Sequence, residues 1–245
     1  MRFFLGVYHL PDAIKTDRAF ISVHTLAKRR TKFPANEWIM DSGAFTTIKK
    51  HGGYPEAVSV YAANIRRFAD CGKLLAAVSQ DYMCEPEMLA RTGLTIADHQ
   101  RLSIERYDAL LRENCGGVPI LPVLQGYAPA DYVEHIRQYG ERLRVGMWVG
   151  VGSVCKRNAN YRTIEDVLLA IKRERPDLRP HAFGIKATAL ESQLVRDLLE
   201  SADSMAWSFA ARREGRDTHD FNEAIRYARR IERMSTQRSF FGMVP

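Results

Sequence analysis

Trp38-Ile39-Met40-Asp41-Ser42-Gly43-Ala44-Phe45 reads as a buried strand that stops abruptly in a polar turn. Three consecutive apolar residues leave no polar face, so both sides of such a strand must be covered. The pattern recurs along the chain. Leu75-Ala76-Ala77-Val78 runs into Ser79-Gln80-Asp81-Tyr82, and Ile120-Leu121-Pro122-Val123-Leu124 runs into Gln125-Gly126-Tyr127. Met147-Trp148-Val149 runs into Gly150-Val151-Gly152-Ser153, and Phe183 into Gly184-Ile185-Lys186.

Working outward, strands are expected at Phe3–Tyr8, Phe20–Val23, Trp38–Met40, Leu75–Ser79, Pro119–Leu124, Val145–Val151, Ala182–Ile185 and Met205–Phe209. Amphipathic helices are expected between most of them, at Pro55–Asp70, Leu94–Glu113, Ala130–Arg142, Ile164–Glu174 and Leu190–Ser201, with a last one at Thr218–Met234. Doubly buried strands spaced by helices imply parallel β/α units. Eight of them in 245 residues predict an α/β fold, a (β/α)8 TIM-like barrel forming a single domain over residues 1–245. An open doubly wound sheet is the alternative, and it lacks an early G-x-G-x-x-G between strand and helix. The Thr- and Lys-rich stretch 9–36 carries no assignment beyond its short strand and a loop over the pocket.

Composition narrows the function classes. Apolar residues make up 46% and charged residues 27%, the balance of a folded globular chain rather than a disordered or fibrous one. Apolar runs are strand-sized, which excludes a membrane-spanning helix. The opening Met1–Tyr8 is apolar but lacks a small-residue cleavage site, so a first strand is expected there. The four cysteines show no C-x-x-C spacing, so no metal site is expected and the chain reads as reduced and cytoplasmic. The net charge of +7 points to a polyanionic partner, nucleic acid first, against the alternative of merely solvated lysines.

In a β/α barrel the carboxyl ends of the strands converge on one face, where barrel active sites form. Two carboxylates, an amide, several glycines and an aromatic facing one pocket are costly to bury for stability alone. Each has an ordinary reading as well: Asp41 as an Asx-turn, Gly43 as a positive-φ residue, Gly150 and Gly152 as tight barrel packing.

The ordered segments resemble the motifs of tRNA-guanine transglycosylases over roughly residues 36–216. D-S-G-A-F at 41–45 is similar to their D-S-G-G-F, Asp81 to their second base-binding aspartate, and V-L-Q-G-Y at 123–127 to their V-Q-G-G segment. W-V-G-V-G-S at 148–153 resembles the glycine pair whose backbone reads the base, and H-A-F-G-I-K at 181–186 followed by S-A-D-S-M-A-W at 201–207 resembles the strand, helix and nucleophile strand. The carboxyl-terminal region holds none of the cysteines of the family's zinc site, and the chain has no room for an appended RNA-binding domain. Both features suit the compact phage and bacterial relatives that place 7-deazaguanine in DNA, the DpdA-type deoxypurine-in-DNA proteins.

The resemblance implies a pentosyltransferase without cofactor or zinc subdomain, in the host cytoplasm if phage-encoded. It would replace guanine in DNA with a 7-deazaguanine base such as preQ0 through a glycosyl-aspartate intermediate. Asp203 is the expected nucleophile and Asp41 the general acid and base. A gapless register instead sets Ala206 at the nucleophile position, and it would make the protein a silent nucleic-acid-binding barrel beside an active paralogue. Ser42, Gly43, Phe45, Asp81, Gln125, Gly126, Gly150, Gly152, Lys186 and Trp207 are the expected base-binding residues. Asp81 would accept from N1–H and the 2-amino group, while Gln125 and backbone N–H groups near Gly150–Gly152 would donate to O6. Lys156, Arg157, Arg212, Arg213 and Arg216 follow site strands and are expected on the phosphates. A tRNA substrate and a small-molecule barrel enzyme remain as alternatives, and a homodimer or paralogous partner stays open.

Overall fold

The computed structural model describes residues 1–157, 160–218 and 220–236. Nine strands lie among them: β1 (Arg2–Gly6), β2 (Arg18–Ser22), β3 (Glu37–Asp41), β4 (Lys73–Val78), β5 (Ile120–Leu121), β6 (Val123–Leu124), β7 (Trp148–Val151), β8 (Arg179–Ala182) and β9 (Ser201–Ser204). Helices are α1 (Val23–Leu26), α2 (Ala44–His51), α3 (Val58–Phe68), α4 (Pro86–Thr92), α5 (Ile96–Leu111) and α6 (Pro129–Tyr139). They continue as α7 (Tyr161–Glu174), α8 (Ala187–Leu190), α9 (Gln193–Leu198), α10 (Ala206–Arg213) and α11 (Phe221–Thr236).

Every strand pair is parallel, in the order β5-β4-β3-β2-β1-β9-β8-β7-β6. The two ends of this sheet are consecutive in sequence, separated only by Pro122. Proline has no N–H for the ladder, so the run pairs with β4 before it and β7 after it, and the sheet closes into an eight-stave barrel. No described helix is long and apolar enough to cross a membrane.

Although most strands are apolar on both faces, their side chains still alternate. Phe4, Phe20, Ile39, Val78, Leu121 and Val123 fill the barrel interior with Trp148 and Phe183 against them. Their neighbours Leu5, Ile21, Met40, Ala77 and Leu124 face outward into the layer of helices, against residues such as Ile65, Tyr107, Ile136 and Ile171. Continuing the inward phase to the carboxyl ends gives Ser22, Asp41 and, through Ser201, Asp203. The strand positions above the apolar floor are therefore polar.

Two expected strands are displaced. Met205–Phe209 is not a strand: α10 starts at Ala206, where the Ser204 hydroxyl accepts the Ala206 N–H at 3.1 Å. Trp207 and Ala211, four apart, form the buried stripe of that helix. The last stave is Ser201–Ser204, and β8 begins at Arg179 rather than Ala182. Leu190–Ser201 is two short helices, α8 and α9, broken at Glu191–Ser192. The stretch 9–36 contains a single 3-10 turn at Leu10–Lys15, the stave β2 and the short α1, so β2 is its part of the barrel wall.

Candidate active site

A cavity of 490 Å³ opens at the carboxyl ends of the strands, and Asp41, Asp81 and Asp203 all line it. Each comes from a different stave or the loop just past one, so the barrel alone brings them together. Asp203 is buried on β9. Its Oδ1 accepts the Gly184 N–H at 3.1 Å and lies 3.2 Å from Nε2 of His181. His181 is fully buried among Phe4, Phe20 and Phe183, and its Nδ1 meets the Ser201 hydroxyl at 2.8 Å. Both contacts of Asp203 fall on Oδ1, and the residue lines the cavity.

Asp41 is pushed up to about 6, by burial first and then by the negative charge of Asp203; the Gly43 N–H, the Ser22 hydroxyl and His24 act in the opposite direction. Asp81 is pushed up to about 7, again by burial first, although the Gln125 amide favours its ionised form, and the charges of Asp41 and Glu85 add to the rise. A carboxyl poised near neutrality can both give and take a proton at working pH.

Gln125 is fully buried and joined to Asp81 through Nε2. Its backbone is held from both sides: its N–H donates to His135 Nδ1 at 2.8 Å, and its carbonyl accepts from Gln100 Nε2 at 2.8 Å. Gly152 lies directly against this amide, and a Cβ there would overlap the Gln125 side chain. Phe45 reaches the cavity wall half-exposed, with the ammonium groups of Lys49 and Lys156 at 5.5 and 5.4 Å from its ring centroid. Lys156 lines the mouth and pairs with Glu87 at 2.5 Å.

Other expected residues are placed elsewhere. Ser42 is buried in the wall of a neighbouring 320 Å³ cavity. Gly43 turns the chain at φ 71° with the His24 ring packed against it. Gly126 packs on Asp131 and Tyr132 of α6, and Gly150 packs on the Phe183 ring inside the barrel, in line with the packing reading of Gly150. The N–H groups of Gly150 and Gly152 are committed to the ladder, to Pro122 O at 2.8 Å and Leu124 O at 3.0 Å, and are not donors to a base. Lys186 precedes α8 with its ammonium 5.9 Å from the Phe209 ring. Trp207 is buried behind Tyr8, stacked on it at 5.7 Å, and donates to Gly6 O at 3.0 Å; Tyr8, rather than Trp207, faces the cavity. Ala206 begins α10 and does not line the cavity.

Arg157 donates to the Ser153 carbonyl at 3.0 Å and lies 4.5 Å from the Tyr127 ring. Arg212 and Arg213 are exposed at the end of α10, whereas Arg216 pairs with Glu214 and, at 2.9 Å, with Glu223. Among the described residues no group of three or more His, Cys, Asp or Glu is arranged to hold a metal.

Sequence reasoning missed His181, Glu85, Ser153 and Tyr8. His181 was visible in phase, two residues before the inward Phe183. Glu85 and Ser153 carry no local signal, because their meeting depends on two loops far apart in sequence.

The sequence model of one family, described as DpdA, DeoxyPurine in DNA protein A, matches residues 1–238. No curated protein matches the chain.

Proposed function

Since the chain belongs to the deoxypurine-in-DNA protein A family, we propose that it exchanges guanine in DNA for a 7-deazaguanine base through a covalent bond to Asp203. The observation that carries this reading is the convergence of Asp41, Asp81 and Asp203 on one cavity of 490 Å³. The target nucleotide must leave the base stack to bring C1′ and the base edge into such a cavity.

Asp203, clamped through Oδ1, attacks C1′ as the bond to guanine N9 breaks through an oxocarbenium-like state. Asp41 gives the departing guanine a proton. The incoming 7-deazaguanine loses its N9 proton to Asp41 and displaces Asp203 from C1′, so both carboxyl groups return to their starting states. Asp81 accepts from the N1–H and 2-amino donors common to both bases, and the Gln125 amide next to it faces O6. Unequal surroundings keep the roles apart: Asp203 stays hydrogen-bonded to a backbone N–H, whereas burial holds a proton on Asp41.

The test is release of radiolabelled guanine from DNA, and separately from tRNA, on addition of unlabelled 7-cyano-7-deazaguanine. Release from DNA that depends on the added base is the expected result. Release from tRNA alone would transfer the chemistry to the other substrate, and tight DNA binding without release would leave a silent barrel.

A further inference from the structure

The Ser153 hydroxyl has one hydrogen and three polar neighbours. Cys84 N–H donates to its Oγ at 2.8 Å, Gln125 Oε1 lies at 2.7 Å and Glu85 Oε2 at 3.0 Å. One hydrogen cannot serve two oxygen acceptors. All members of the chain Asp81–Gln125–Ser153–Glu85 are buried, so an unmade bond here costs about 1–3 kcal/mol.

Two arrangements satisfy every contact. In one, Asp81 is ionised and accepts from the Gln125 NH2, Ser153 donates to the Gln125 carbonyl oxygen, and a protonated Glu85 donates to Ser153. In the other, the amide is reversed: a protonated Asp81 donates to the Gln125 oxygen, the Gln125 NH2 donates to Ser153, and Ser153 donates to an ionised Glu85. Each arrangement holds a single proton on the two carboxyl groups. With none, one oxygen–oxygen contact has no hydrogen, so the pair must hold at least one; a second, on Asp81 Oδ1 or Glu85 Oε1, would lie outside these contacts.

We propose that Glu85 shares one proton with Asp81 and, through Ser153, sets which way the Gln125 amide faces the bound base. Its consequence for base choice rests on the exchange reading above; its geometry does not. Glu85 is thus a positioning residue. A base with two donors on its edge draws the arrangement with ionised Asp81, and the proton leaves the Asp81 oxygen and ends on Glu85 with the total charge unchanged. Both groups line the cavity, so solvent can carry the proton between them.

Other groups face the pair. Asp41 from β3 and the Tyr54 hydroxyl, which donates to the Asp81 carbonyl at 2.9 Å, stand on the Asp81 side, with Tyr139 of α6 beyond. Cys84, Cys155 (Sγ 3.8 Å from Glu85 Oε1), His99 of α5 and Tyr132 of α6 surround Glu85. The cations nearby are Lys156, held by Glu87, and Arg157, which donates to the Ser153 carbonyl at 3.0 Å. None of these supplies Ser153 with a second hydrogen.

The experiment is a carboxyl carbon NMR titration of the free protein, following Asp81. Wild type is expected to titrate in steps coupled to both Asp41 and Glu85. Glu85→Gln, which keeps the chain bonded and removes a like charge, should remove the Glu85 step, leave the coupling to Asp41 and lower the midpoint by about one pH unit, a tenfold change in proton affinity. Ser153→Gly deletes the hydroxyl at a position whose φ of 55° glycine accepts readily, so it tests the link even if Glu85→Gln folds poorly. It too should change the Glu85 step. An Asp81 curve unchanged by either variant overturns the proposal. The titration contains neither DNA nor base, so a protein that shows the shared proton but releases no guanine refutes the exchange reading alone.

Discussion

Asp203 and Asp41 share a cavity but not a role in the proposed exchange, and single substitutions separate them. Asp203→Ala should abolish covalent trapping on the sugar, with DNA affinity within about twofold of wild type because the phosphates are held elsewhere; an unchanged exchange rate would remove Asp203 from the chemistry. Asp41 also affects folding. Its carboxyl binds its proton more tightly folded than unfolded, raised from 3.8 to about 6. The stability it contributes is therefore complete below its unfolded value and lost as pH rises through its folded one. Asp41→Asn, neutral at all pH, should be more stable than wild type by about 1–3 kcal/mol at pH 8 and equal to it near pH 4, as read by thermal melts. It should also lose exchange activity, since function depends on the group that strains the fold. A variant that melts lower than wild type at pH 8 would contradict the burial argument.

At the scale of elements, Gly150 in β7 and Gly152 just past its end have opposite meanings. Gly150→Ala would bring a methyl to 2.5 Å from the Phe183 ring in the barrel interior, so it should cost about 1–3 kcal/mol of stability. Gly152→Ala instead displaces the Gln125 amide. It should weaken base affinity by tenfold or more with a smaller effect on melting, a contrast readable by pairing melts with free-base binding. Most staves were legible in the sequence because their runs are apolar on both faces. The misplaced ones show the limit of that signal. β9 is Ser-Ala-Asp-Ser because its inward side chains build the site, so a search for apolar runs slides on to Met205–Phe209, which belongs to α10. β8 is Arg-Pro-His-Ala and suffers the same way. Strands with polar residues along their inward face read least like strands. Asp41, Asp81 and Gln125 were legible from their place at strand ends, whereas the Glu85–Ser153 contact arises only from the closed barrel.

At the scale of the whole molecule, the net charge of +7 is spread unevenly in its availability. Arg216 and Lys156 already hold carboxylate partners, while Arg212 and Arg213 project from the carboxyl end of α10. Replacing both by alanine should lower the slope of log affinity against log salt by about 2, measured on duplex and single-stranded DNA; an unchanged slope would take α10 off the binding path. The rings of Phe4, Phe20 and Phe183 plug the barrel beneath the aspartates, which gives the cavity a floor. Whatever occupies the chamber must back out before its replacement can step in. Turnover should accordingly be ping-pong: double-reciprocal plots run parallel, and added guanine competes with the incoming heterocycle for the vacated glycosyl-enzyme.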